Sequence, residues 1–245
     1  MNKKGKPVFS HDAVFNRKNP GNLVMVSQHP MDKSKVLVWR EKKIGNNYGL
    51  FAVEGDLKKG KIIENPTLIV DSSAFSGGTE KTSYLNVGHF EVKNFKNKGN
   101  SENSFKRKGL GTVVREYFIS KAKKDNIKII KFPGLTEAHY PDFYIPRGLK
   151  KQKGESGKTV HYTSKVKDLL GRKMVLDNDI KRRIDSKQKN MEKQGETQNK
   201  DRNFIKAKEE VWAEMNRNKE SIDWHKILSD KGFKILWAKS GESKK

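Results

Sequence analysis

Between residues 83 and 124 the hydrophobic period changes, and a basic, glycine-bearing turn marks the change. "SYLNVGHFEVKNF" (83–95) alternates and reads as a strand, with Leu85, Val87, His89 and Glu91 expected on one face and Phe90 and Val92 on the other. "LGTVVREYFISKAKK" (110–124) sets Leu110, Val113, Val114, Tyr117, Phe118 and Ala122 at helical spacing, with Asp125-Asn126 as the stop. Between them lies the polar, cationic loop that ends in "FKRKGLG". A turn entering a helix leaves backbone N–H groups without intrahelical partners, and the helix dipole adds partial positive charge there. Glycine lets that backbone come close to a ligand, and Lys106, Arg107 and Lys108 add full charges beside it. Residues Lys106, Arg107, Lys108, Gly109, Leu110, Gly111 and Thr112 are therefore expected to form a cradle for a pyrophosphate.

The flanking patterns supply the rest of an α/β domain. Strands are expected at 22–30 and 35–43, and around Leu50–Val53 and Leu68–Val70, with "SSAFSGGTE" (72–80) as a loop by composition. "IKIIKF" (127–132) reads as a strand, and "TEAHYPDFYIPRGLK" (136–150) as a short helix or turn broken by Pro141 and Pro146. From about residue 151 the character changes. "KKQKGESGK" is a linker or hairpin loop, 161–176 is expected to be helical, and 185–202 is almost wholly polar. Residues 202–218 read as an amphipathic helix. "DWHKILSDKGFKILW" (223–237) gives a short helix, a stop at Gly232 and a strand. The expected organisation is one domain over 1–150 and a basic, largely helical extension or insertion over 151–245.

The order strand, glycine turn, helix, strand and then "DFYIPRGL" resembles the GNAT superfamily of N-acetyltransferases. The family's acyl-CoA motif, Gln/Arg-x-x-Gly-x-Gly/Ala, would be Lys106-Arg107-Lys108-Gly109-Leu110-Gly111. Its later motif, Phe-Tyr-x-x-x-Gly-Phe, would be Phe143-Tyr144-Ile145-Pro146-Arg147-Gly148-Leu149. Lys106 and Leu149 depart from the pattern, Pro146 falls where the family has helix, and Gly232 offers a second position for the terminal glycine. The resemblance covers mainly residues 83–150. It implies a mixed, mostly antiparallel sheet with flanking helices and acetyl-CoA as cofactor. It also implies that the thioester carbonyl sits against the strand at Phe90–Val92. Tyr144 would then protonate the departing thiolate, and Glu91 or His89 would serve as base for the amine. Asp142 and His139, close by in sequence, are further candidates to orient or replace a base.

Composition bounds the partners. The net charge of +24, from 53 Lys+Arg against 29 Asp+Glu, attracts polyanions, so RNA or DNA is a possible partner. There is no cysteine, which excludes disulfides, thiolate zinc sites and a cysteine nucleophile. No His-x-x-x-His spacing appears, and no metal is expected. The chain has no apolar run approaching the roughly 18 residues of a membrane span. No apolar segment follows the basic N-terminus, so a cytoplasmic protein without a membrane partner is expected. A second reading is a non-catalytic nucleic-acid-binding or virion-associated protein, with "KRKGLG" on phosphate, the basic segment Lys181–Lys189, and Trp212 and Trp224 stacking on bases. "YGLFAVEGDLKKGKIIENPTLIV" is similar to the start of SET-domain lysine methyltransferases, but the chain contains no Asn-His pair for that family's cofactor motif. A nuclease is the remaining alternative.

Overall fold

The computed structural model describes residues 21–58, 61–92, 109–134, 141–153, 160–194 and 199–239. The chain forms two compact units, residues 1–130 with 228–245 and residues 131–227. The boundary expected near residue 150 follows a change in composition, whereas this division follows compactness. The architecture is α+β, a large and mostly antiparallel sheet with flanking helices, which is the fold class expected.

In the first unit, strands β1 (Asn22–Gln28), β2 (Lys35–Ile44), β3 (Asn47–Lys58), β4 (Lys61–Gly77) and β5 (Tyr84–Val92) follow one another as antiparallel neighbours. A C-terminal strand, Ile235–Ala238, pairs antiparallel with the outer side of β1. The β2–β3 turn is tight, and Gly45 takes φ +57 there, as a short hairpin turn demands. Residues 72–77 belong to β4 rather than to a loop. Their small polar side chains suggested a turn, but the Ser72 hydroxyl donates to Leu50 O at 2.6 Å, and both neighbouring strands pair with this stretch. Tertiary pairing outweighs composition here.

Helix α1 (Leu110–Lys124) buries Leu110, Val113, Val114, Phe118 and Ala122, the stripe expected from spacing. Burial of each large apolar side chain contributes about 1.5–3 kcal/mol. Polar clasps fix the helix on the sheet. Tyr117 donates to Glu41 on β2, and Lys121 reaches the same carboxylate at 3.1 Å. Burial pushes the Glu41 carboxyl up, but these hydrogen bonds outweigh it and hold it below its ordinary range. Asp125, just past the helix, accepts from Tyr48 at 2.7 Å and pairs with Lys43 at 3.3 Å. It too lies below the ordinary value, because the Tyr48 bond and the nearby lysines overcome its desolvation.

Strand β6 (Ile129–Gly134) carries the chain out of the first unit. In the second unit, α2 (Pro141–Tyr144) runs into a single 3-10 turn (Ile145–Arg147) that ends at Gly148, φ +90. Pro146 lies at the start of that turn, where its missing N–H costs nothing. An antiparallel hairpin follows, β7 (Lys150–Lys153) and β8 (Val160–Lys165), and then a one-turn helix, α3 (Val166–Leu169), and β9 (Lys173–Val175). The expected helix over 161–176 is thus strand β8, the single turn of α3 and strand β9, with Val160, Tyr162, Thr163 and Ser164 buried along β8. Helices α4 (Asp177–Lys193) and α5 (Lys200–Arg217) bury Ile180, Ile184, Met191, Val211, Trp212 and Met215 in one core with β9 and the parallel strand β10 (Glu220–Ile222). Within the polar run at 185–202, residues 185–193 continue α4 and residues 200–202 begin α5, and Met191, the one apolar side chain of the run, is buried in the same core as Ile180 and Ile184. Helix α6 (Trp224–Asp230) then leads to β11 (Ile235–Ala238), as expected. Among the described residues, no helix is long and apolar enough to cross a membrane.

Candidate active site

The site is built on the second half of β5 and the first turn of α1. Through Val87 the register with β4 is regular, Leu85 opposite Ser76 and Val87 opposite Ala74. Then one residue, Gly88, is left without a counterpart, and His89 pairs with Ser73, Phe90 with Ser72, Glu91 with Asp71 and Val92 with Val70. A bulge of this kind turns the following side chains over. Leu85 and Val87 consequently share a face with Phe90 and Val92, and His89 and Glu91 lie on the opposite face. This corrects the alternation expected from sequence, which ran without interruption. Burial changes at the same place, from wholly buried Leu85 to exposed His89, Phe90 and Glu91.

On the first face, the Phe90 ring is 44% exposed and stands beside the helix start; a Cβ placed on Gly111 would meet it at 3.4 Å, an ordinary contact. Gly111 therefore has room for a side chain. Gly109 does not. It takes φ +88, and a Cβ there would lie 2.5 Å from a Leu228 methyl. One glycine of the pair is dictated by the turn, and the other leaves backbone uncovered. Gly109 provides no side-chain cap, no acidic residue occupies the first turn, and Val113 N is bonded back to Gly109 O at 3.1 Å. Leu110 and Thr112 are buried and fix the turn in place, so their role lies in their backbone. Lys106, Arg107 and Lys108, and likewise His139, lie outside the described residues.

On the other face, His89 Nε2 lies 3.8 Å from Asp71 Oδ2 and 3.9 Å from Glu91 Oε2. His89 and Glu91 are about half exposed and Asp71 is largely covered. The strand brings the two predicted base candidates together and adds Asp71, which sequence reasoning missed. Its only signal is the pairing register of β4 with β5, and that is not written in either strand alone.

Tyr144 belongs to the second unit. Its ring stacks on Tyr162, with centroids 4.7 Å apart, and packs against Phe132 and Phe143. Gly148, four residues on, ends the turn with a left-handed conformation in which a Cβ would run into the Arg172 guanidinium. Gly232 is also left-handed but opens onto free space. Arg147 is buried over the Phe143 ring and donates to Phe143 O at 2.5 Å; burial lowers its pKa to about 10. Asp142 is exposed and pairs with Lys208 at 3.0 Å. Trp212 is 6% exposed within the α4–α5 core, so it packs the helices and cannot stack on bases. Trp224 stacks on His225.

No protein-family model and no curated protein matches the chain. Among solved structures, it is similar to a ribosomal-protein-S18-alanine N-acetyltransferase from Escherichia coli. The identity is 11% over 49% of this chain and 68% of that one, with a TM-score of 0.30.

Proposed function

We propose that the chain is an N-acyltransferase that takes an acetyl group from acetyl-CoA and passes it to an amine. The observation that carries the reading is a helix start to which Gly109 gives no side-chain cap, beside a strand whose register shifts at Gly88 and whose Phe90 ring stands next to Gly111. The first suits the diphosphate of a thioester carrier. The second leaves Phe90 44% exposed beside the helix start, where the thioester arm would lie. In this reading the amine attacks the carbonyl carbon directly, the C–S bond breaks, and no covalent enzyme intermediate forms. His89 or Glu91 takes the amine's proton. The strong positive charge points to an acceptor on an anionic macromolecule, or on a protein bound to RNA or DNA.

Titration calorimetry with acetyl-CoA and with desulfo-CoA tests the core of this reading. Saturable binding of both is the expected result. Absence of binding, together with salt-sensitive binding of RNA or DNA, would replace the transferase by the nucleic-acid-binding reading.

A further inference from the structure

Asp71 and Glu91 are directly opposite across the β4–β5 ladder. Like charges in that arrangement destabilise a strand pair, so their retention calls for a compensating group. His89 supplies it. The Gly88 bulge swings His89 onto their face, and its Nε2 then lies 3.8 and 3.9 Å from one oxygen of each. The three differ in environment. His89 and Glu91 are about half exposed, whereas the Asp71 side chain is 13% exposed and held between strands. Its neighbour on β3 is Phe51, which is fully buried and carries no charge. A carboxylate in a covered position against an apolar ring is the more rigid and less screened of the two partners. Glu91, by contrast, is half exposed.

We propose that Asp71 is a positioning residue for His89: its covered carboxylate, 3.8 Å from Nε2, favours the proton on that nitrogen and leaves Nδ1 as the base for the acceptor amine. This deepens the transferase reading and rests on it. The sequence of events balances. The ammonium of the acceptor gives one proton to Nδ1, the freed amine forms the N–C bond to the acetyl carbon, the C–S electrons leave with the thiolate, and the surplus proton of the new amide nitrogen passes to that thiolate, giving amide and thiol. The imidazolium that results stands between two carboxylates. A fixed tautomer with a carboxylate behind it is how a histidine is made a competent base.

The test follows the His89 ring nitrogens by NMR in the full chain, with His89→Gln to assign the signal among the six histidines. In the wild type, Nε2 is expected to carry the proton when the ring is neutral. Asp71→Asn should shift the tautomer population toward Nδ1–H, and Asp71→Glu should restore part of the wild-type population. Acetyl-CoA affinity should change less than about twofold in these variants, since Asp71 is on the face away from Gly111. A His89 signal identical in wild type and Asp71→Asn, with melting temperatures matched, overturns the proposal. If Asp71→Asn fails to fold, Asp71→Glu and Asp71→Ser give the same reading. Loss of wild-type acetyl-CoA binding alongside an intact Asp71-dependent shift removes the transferase reading and, with it, the catalytic part of this one, but leaves the contact demonstrated.

Discussion

Two helices of this protein begin in opposite ways. Helix α5 begins at Asn199, whose side-chain oxygen accepts from the amides of Asp201 and Arg202 at 3.0 and 3.2 Å, and Asp201 adds a negative charge to the first turn. Helix α1 begins at Gly109, with no side-chain cap and no acid in its first turn. A capped start satisfies its own donors and closes itself to anions. A glycine start without a side-chain cap gives up roughly a few tenths of a kcal/mol of that local stability and leaves its first amides to other acceptors. The α1 start also stands beside an exposed aromatic on a bulged strand, whereas α5 serves a continuous apolar core. The comparison sets a helix end that caps itself beside one whose first residue supplies no side-chain cap.

The largest effect expected from breaking this contrast is at Gly111. Gly111→Asp should weaken acetyl-CoA binding by about a hundredfold or more, because a carboxylate would meet the diphosphate. The same change should leave stability unchanged or raise it by a few tenths of a kcal/mol, as an acid in the first turn suits the dipole and glycine is a poor helix former. Calorimetry and urea denaturation on one variant read both, and equal affinity would remove the cradle.

Next is Gly109→Ala, where strain at φ +88 and the Leu228 methyl act together, for an expected loss of about 2 kcal/mol in urea denaturation. Asn199→Ala sharpens the contrast from the other helix. It should cost about 1 kcal/mol and leave acetyl-CoA affinity untouched. A change in affinity there would show that the two helix starts are not separate in function.

The smallest effect concerns acid. Glu41 and Asp125, which hold α1 on the sheet, have pKa values below those of the unfolded chain. Their contribution is therefore complete above about pH 4.5 and is lost as pH falls through the folded-state values. Melting temperature should decline more steeply below about pH 4.5 in the wild type than in Glu41→Gln, and parallel curves would show that the clasp contributes nothing.

Helix α1 was legible because its apolar stripe is regular and its ends are marked by glycine and by Asp125-Asn126. The α6–β11 segment was legible for the same reason, a periodic pattern with a glycine stop. The stretch 161–176 was not, since short buried runs look alike as helix or strand until neighbours are known. Residues 72–77 were misread because serines that favour loops can also sit in a ladder when a carbonyl such as that of Leu50 takes their hydroxyl. At the site, the glycines, Phe90, His89 and Glu91 could be named from sequence, but their sides could not be assigned. The alternating pattern conceals the extra residue, although an isolated glycine inside a strand, here Gly88, is the signal that a bulge leaves.

What the sequence determined by itself was a chain of local preferences: a strand, a cationic glycine turn, an amphipathic helix, and a charge of +24. Those follow from side-chain periodicity and from backbone sterics, which are properties of neighbouring residues. Tertiary structure decided the register of β4 against β5, and through it which face His89 takes and that Asp71 stands opposite Glu91. Register is set by contacts between residues far apart in the chain, and a shift of one residue exchanges the faces of a strand.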